Sequence, residues 1–275
     1  MFRGREVQAL MSVKTRPMGR PEVAPSPSRH VDAAHRGFTV VELIVCLGVI
    51  SILCGILLPS LRATREQANR LACSSNMRQI GTAISVWAGN NEDNVPPSRN
   101  AEPQTLRPQE LMAARMLEGA EDAARGWDGL GLLVRDGLLG AGQCRCLHCA
   151  SHRGEHGYER YADAYGREPK IQIYTNYHYS GHLTYQHAEG TPAYKRIKIS
   201  SGRDVVLLTD GLRSRADFNH GNGLNRMFGD LSVEWWADER NEIERGLPEN
   251  PAISGATVAD YYKNLWGRLS EPGTD

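Results

Sequence analysis

From Phe38 to Leu58 the chain reads FTVVELIVCLGVISILCGILL, an apolar run of 21 residues whose one charge is Glu42. As an α-helix rising 1.5 Å per residue it would span ~31 Å, which matches the hydrocarbon core of a bilayer. A cleavable secretory signal has a shorter apolar region, about 7–15 residues, followed by a small-residue cleavage pattern. Here Pro59-Ser60-Leu61-Arg62 follows instead, so the run predicts a membrane-spanning helix. Polar residues then enter without breaking the helical period. Cys73, Met77, Ile80, Ile84 and Trp87 recur at spacings of four, three, four and three, one apolar stripe on an amphipathic helix. Pro59 is expected to kink the helix and not to end it, because the pattern resumes beyond it. Stop signals come at Gly89-Asn90-Asn91 and Pro96-Pro97, so one helix is predicted from Phe38 to about Asn90.

Downstream the pattern changes. Residues 93–126 are rich in Pro, Arg and Glu and read as a surface loop with a short helix around Gln109–Leu117. Trp127–Leu139 reads as a short apolar helix or turn. Ile171–Tyr179, Tyr194–Ile199, Asp204–Thr209, Leu224–Phe228 and Ser232–Trp236 are β-rich runs separated by Gly, Asn and Asp, which predicts an antiparallel sheet. The last two read as a hairpin around Gly229-Asp230-Leu231. Val258, Tyr261, Tyr262, Leu265, Trp266 and Leu269 are spaced for a terminal amphipathic helix. The fold class is α+β: a long N-terminal helix, membrane half plus soluble half, packed on a small antiparallel sheet. The organisation reads as a basic leader at 1–37, a transmembrane helix at 38–58 and an outer amphipathic helix at 59–92. A globular β domain at 93–238 and a C-terminal extension with a short helix at 239–275 complete it.

Charge adds one fact. Lys+Arg and Asp+Glu are both 32, which gives no reason to expect nucleic acid as a partner. Residues 1–37, however, hold Arg3, Arg5, Lys14, Arg16, Arg20, Arg29 and Arg36 against Glu6, Glu22 and Asp32. Removing that leader would leave the rest of the chain net acidic. Flanking charge gives no vote on orientation, since Arg20, Arg29 and Arg36 precede the apolar run and Arg62, Arg65, Arg70 and Arg78 follow it. Six cysteines are too few for a disulfide scaffold in 275 residues, and Cys46 and Cys54 lie in the apolar run.

The string Arg36-Gly37-Phe38-Thr39-Val40-Val41-Glu42-Leu43, a basic leader ending in Gly before an apolar helix with a single early carboxylate, resembles the N-terminal signal of type IV prepilins and pseudopilins. The resemblance implies that a prepilin peptidase cuts after Gly37 and that Phe38 becomes an N-methylated first residue. It implies that Glu42 pairs with the new N-terminal ammonium of a neighbouring pilin or pseudopilin subunit. It also implies single-pass insertion through lipid in a bacterial inner membrane, with the globular domain periplasmic or extracellular. A carboxylate inside a membrane helix is costly without a partner. Snorkelling to the headgroups is the plain alternative for Glu42.

A second resemblance lies beyond the membrane run. Cys73-Ser-Ser-Asn-Met-Arg-Gln-Ile-Gly81, with Asn94-Val-Pro-Pro97, is similar to a group of bacterial prepilin-like proteins whose C-terminal region carries His, nine residues, then Asp-Gly. Here His220 and Asp230 have that spacing, but Leu231 stands in place of the Gly. Cys149-Ala-Ser151 resembles the group's Cys-Pro-Ser, and Asp204–Asp210 its strand ending in Asp. Leu resists the positive φ of a tight hairpin turn, so a longer or different turn is expected. A structural role is expected for His220 and Asp230 at the base of that hairpin, satisfying loop amides.

Cys144, Cys146, Cys149, His148 and His152 crowd one segment. A zinc site, a disulfide that could include Cys73, or neither are all open readings; no other cofactor is implied. No nucleophile-base-orienter set is legible, and an enzyme using His220, Asp210 and Asp230 is only a third reading. The chain is therefore read not as an enzyme but as a prepilin-type subunit of a pilus or a type II secretion pseudopilus. A membrane-tethered periplasmic binding module, with a metal in its Cys/His loop, is the alternative from another class.

Overall fold

The structure is a computed structural model describing residues 38–101, 107–116, 126–140, 142, 144–165, 171–188, 191–252 and 256–270. Its contacts divide the chain after Ile52. The leader and Gly37 lie outside the described residues.

Helix α1 runs unbroken from Val40 to Gly89, 50 residues that include Pro59. Proline withholds the N–H that would bond the Gly55 carbonyl, and the helix continues past it. In the apolar part, the Ser51 hydroxyl donates to the Leu47 carbonyl at 2.7 Å and the Ser60 hydroxyl to Leu57 at 2.9 Å. These polar side chains are thus satisfied within the helix, which a bilayer requires of buried polar groups. No other described segment buries the apolar window, and Phe38 to Leu61 keep their large side chains exposed. The outer stripe forms as its spacing predicts: Cys73, Met77, Ile80, Ile84 and Trp87 are all buried, with Gly81 and Ala88 on the same face.

Strands β1 (Ala113–Arg115), β2 (Ile173–Tyr174), β3 (Tyr177–Tyr179), β4 (Leu183–Ala188), β5 (Thr191–Arg196), β6 (Val206–Asp210), β7 (Gly223–Phe228) and β8 (Val233–Ala237) pair antiparallel throughout. The main sheet has the order β3-β6-β7-β8, with separate pairs β1-β2 and β4-β5. Short helices α2 (Gly131–Arg135), α3 (Tyr158–Tyr161) and α4 (Glu242–Gly246) and the terminal helix α5 (Ala256–Ser270) complete it.

Strand alternation gives the main sheet two cores. Tyr177, Tyr179, Leu208 and Met227 join the α1 stripe in one, while Leu224 and Phe228 join Tyr262, Leu265 and Leu269 in the other. His178, between the two tyrosines, turns to the second side and stacks on Tyr262 with ring centroids 5.4 Å apart. The terminal helix is therefore the second cover of the sheet. Each large apolar side chain buried this way contributes about 1.5–3 kcal/mol.

Several local expectations need correction. Gln109–Leu117, expected as a helix, is a 3-10 turn at Pro108–Met112 followed by β1. The run Ile171–Tyr179 is two strands, because the Thr175 amide bonds the Met112 carbonyl and the Asn176 amide bonds that of Leu147. Strand β5 begins at Thr191 and not Tyr194, and β4 was not foreseen. Pro192 argues against a strand, yet in a two-stranded hairpin each strand is an edge and the missing donor is tolerated.

Between β7 and β8 the loop is Gly229–Ser232. The Leu231 amide donates to the Phe228 carbonyl at 3.0 Å, and Phe228 N–H reaches Ser232 O at 3.0 Å. Leu231 itself takes φ 64°, the left-handed conformation that glycine would adopt freely. Its side chain packs against the α1 core, and a Cβ at Gly81 would lie only 3.1 Å from Leu231 Cδ2. Burial against a glycine of α1 offsets a backbone cost of about 1–2 kcal/mol.

Candidate functional site

The N-terminal end of α1 is built by two residues. Thr39 N–H and Oγ1 both donate to Glu42 Oε2 at 2.9 Å, and Glu42 N–H donates to Thr39 Oγ1 at 3.2 Å. This reciprocal Thr-x-x-Glu arrangement is a capping box, which satisfies donors that every helix start leaves open. Glu42 consequently has a favourable use inside its own chain. Phe38 precedes this cap and is 74% exposed.

A second constellation is buried in the globular part. Cys73 from α1, Cys149 from the segment after the 3-10 turn Cys144–Leu147, Asp210 at the end of β6 and His220 before β7 bring their sulfur, oxygen and nitrogen atoms within 4.8 Å of one another. The two sulfurs are 2.8 Å apart, Cys149 Sγ is 3.6 Å from His220 Nε2, and Asp210 Oδ2 is 3.5 Å from the same nitrogen. Each member is held from behind. His220 Nδ1 lies 2.5 Å from Glu66 Oε1, whose other oxygen accepts from Ser151 Oγ at 2.8 Å. Asp210 Oδ2 accepts from the Asn225 amide at 2.6 Å and from its side chain at 3.0 Å, while Asp210 Oδ1 is buried without a hydrogen-bond partner.

The electrostatics are those of a tightly coupled set. The Cys149 hydrogen bond, against burial and with help from His220, brings Cys73 down to about 6. Cys149 is pushed up by Cys73 and by burial. Burial alone would lower His220, but its contacts with Asp210, Cys73 and Glu66 outweigh that and raise it to about 10.

The other residues singled out by the sequence go elsewhere. No two of the six cysteines are bonded to each other in the structure. Cys144 Sγ faces the Gly140 carbonyl at 3.4 Å, and burial raises Cys144 to about 11 and Cys146 to about 12. His148 is used at both nitrogens, Nδ1 on the His156 carbonyl at 3.1 Å and Nε2 by Tyr165 Oη at 2.8 Å; burial lowers it to about 4. His152 meets Asn219 Oδ1 at 2.7 Å and the His156 amide at 3.2 Å. The dense Cys144–His152 segment thus contributes Cys149 alone to the buried constellation. His220 and Asp230 lie at opposite ends of β7. Asp230 does bond loop amides, accepting from Ser232 N–H at 2.9 Å, but His220 serves the constellation and caps no hairpin loop. Glu66 and Thr39 carried no role in the sequence reading. The Thr39-x-x-Glu42 spacing was a readable signal for one; nothing local marked the other.

Residues 32–58 match the family model described as prokaryotic N-terminal methylation motif. The matched segment takes in the whole exposed apolar run Phe38–Leu58, and the match supports a prepilin-type N-terminus on a type IV pilin-like, membrane-anchored protein. No curated protein and no solved structure matches the chain.

Proposed function

We propose that the chain is an assembling subunit of a type IV pilus-like filament or a type II secretion pseudopilus. A prepilin peptidase cuts after Gly37, Phe38 is N-methylated, and α1 waits in the inner membrane with its globular part on the periplasmic side. The observation that carries this reading is the methylation motif over residues 32–58, which takes in the apolar run and its one carboxylate, Glu42, in the first turn of α1. Glu42 then has two successive uses. It caps its own helix, and in the assembly it faces the ammonium that cleavage creates on a neighbouring subunit. Removing one side of such a desolvated pair costs roughly 3–5 kcal/mol, enough to select processed subunits.

Mass spectrometry of the membrane-extracted N-terminus tests the processing. N-methylated Phe38 is the expected first residue, and a chain still carrying Gly37 sinks the reading. Cross-linking between subunits tests assembly, with loss of cross-links expected in Glu42→Leu and unchanged cross-linking counting against it.

A further inference from the structure

We propose that Cys73, Cys149, Asp210 and His220 form a closed, structural zinc site that pins α1 to the sheet. All four residues are buried and their ligand atoms lie within 4.8 Å of one another. Tetrahedral zinc holds thiolates at about 2.3 Å and imidazole or carboxylate at about 2.0–2.2 Å, so neighbouring ligand atoms stand roughly 3.3–3.8 Å apart. The Cys149 Sγ to His220 Nε2 distance of 3.6 Å and the His220 Nε2 to Asp210 Oδ2 distance of 3.5 Å have that size. The second is long for a hydrogen bond between nitrogen and oxygen, and both have the length of an edge of a ligand tetrahedron. The 2.8 Å between the sulfurs exceeds a disulfide bond of about 2.05 Å, and the two side chains need to part by about 1 Å to reach the tetrahedral edge.

Two further observations point the same way. His220 turns Nδ1 to the Glu66 carboxylate at 2.5 Å, the arrangement by which an outer carboxylate fixes an imidazole so that Nε2 presents its lone pair to a metal. Asp210 Oδ1 is buried with no hydrogen-bond partner, a cost that a bound cation would remove. A disulfide would use the two sulfurs alone and leave that oxygen as it is. Two thiolates, an imidazole and a carboxylate form a donor set suited to zinc, and four protein ligands leave no open position. A depression of about 530 Å³ lined by Asn76, Arg145, His148 and Cys149 reaches the constellation at one of its four members, Cys149. The four ligands come from four segments, so the ion would join α1 to the segment after the 3-10 turn, to β6 and to the approach to β7. This inference does not rest on filament assembly.

The test uses the full chain, extracted in detergent and purified under reducing conditions without a metal resin, with elemental analysis, cobalt substitution and chelator competition. One zinc per chain is expected, with a tetrahedral cobalt spectrum carrying thiolate charge-transfer bands. His220→Gln should lose stoichiometric metal. Glu66→Gln, which keeps all four ligands and guards against a His220 variant that fails to fold, should bind zinc 10–100-fold more weakly. A Cys144→Ser, Cys146→Ser double variant should bind as the parent does. The proposal is overturned if the reduced parent takes up no zinc, or if Glu66→Gln binds as tightly as the parent. It is equally overturned if the double variant loses the metal, or if peptide mapping of a separate extract kept free of reductant finds Cys73 bonded to Cys149.

Discussion

Glu66, on the polar part of α1, places a carboxylate oxygen 2.5 Å from Nδ1 of His220, 154 residues further along the chain. The same turn of helix adds Asn69 bonded to Ser151 and Arg70 stacked 4.0 Å over the Trp235 ring. These contacts set where a soluble fragment must begin. A fragment starting at Ala63 should fold and stay soluble without the apolar run, whereas one starting at Ala72 should be less stable by about 2–5 kcal/mol, since hydrogen bonds to charged groups contribute roughly 1.5–3 kcal/mol each. Urea denaturation of both checks this. Equal midpoints would show that the Glu66 turn contributes nothing.

The capping box separates two roles of Glu42. Gln fills the same position in a capping box, so Glu42→Gln should keep the helix start while removing the charge. Glu42→Leu removes the charge and the carboxylate half of the box, leaving the backbone N–H of position 42 on Thr39 Oγ1. If pairing with a neighbour's ammonium drives assembly, Gln should abolish subunit cross-linking as fully as Leu does, with membrane insertion and cleavage intact in both. Cross-linking preserved in Gln but lost in Leu would assign the effect to the cap.

Leu231 makes an unusual ordering measurable. At φ 64° alanine keeps the backbone cost and loses the packing, whereas glycine loses the packing but relieves the cost. Leu231→Ala should therefore destabilise by about 1–2 kcal/mol and Leu231→Gly by less, near 1 kcal/mol. Chemical denaturation of the two variants decides it, and Gly more harmful than Ala would contradict the account.

Two imidazoles predict an acid limb. Burial lowers His178 to about 3 and His148 to about 4, against an ordinary value near 6.5. Below about pH 6.5 the unfolded chain therefore takes up protons that the folded chain refuses, and stability falls with pH down to those lower values. The slope approaches about 1.4 kcal/mol per pH unit for each group. His178 lies between Tyr262 and Trp266. Its replacement by Phe should flatten the dependence between pH 6.5 and 4.5, read from urea midpoints at constant ionic strength, and an unaltered slope would remove His178 from the explanation.

What the sequence disclosed was whatever repeats locally. The stripe from Cys73 to Trp87, the strands β6 to β8 and the helix α5 follow periods that a short window displays. The role of α5 as the sheet's second cover was not visible, because periodicity shows that a face is apolar and not what it meets. The buried constellation was hidden for a related reason. Cys73 and Cys149 are 76 residues apart, while the local crowding of Cys144 to His152 suggested a site that side-chain direction then dispersed. Position 231 shows the reverse case: the expected reluctance of leucine toward positive φ is real, and a contact with a glycine of α1 outweighs it.

One architectural fact also sets an order of events. Helix α1 precedes every other described element, and its buried stripe shares a core with Val95, Leu130, Leu132, Leu133 and Leu139 as well as with Tyr177, Tyr179, Leu208 and Met227, which come much later in synthesis. The core closes through distant contacts, which fold slowly because a long loop must be ordered before any contact rewards it. Until β6 and β7 emerge, the share of that core built by Leu208 and Met227 is missing and the stripe of α1 is only partly covered. The chain therefore passes through an interval of partly exposed apolar surface that its late strands end.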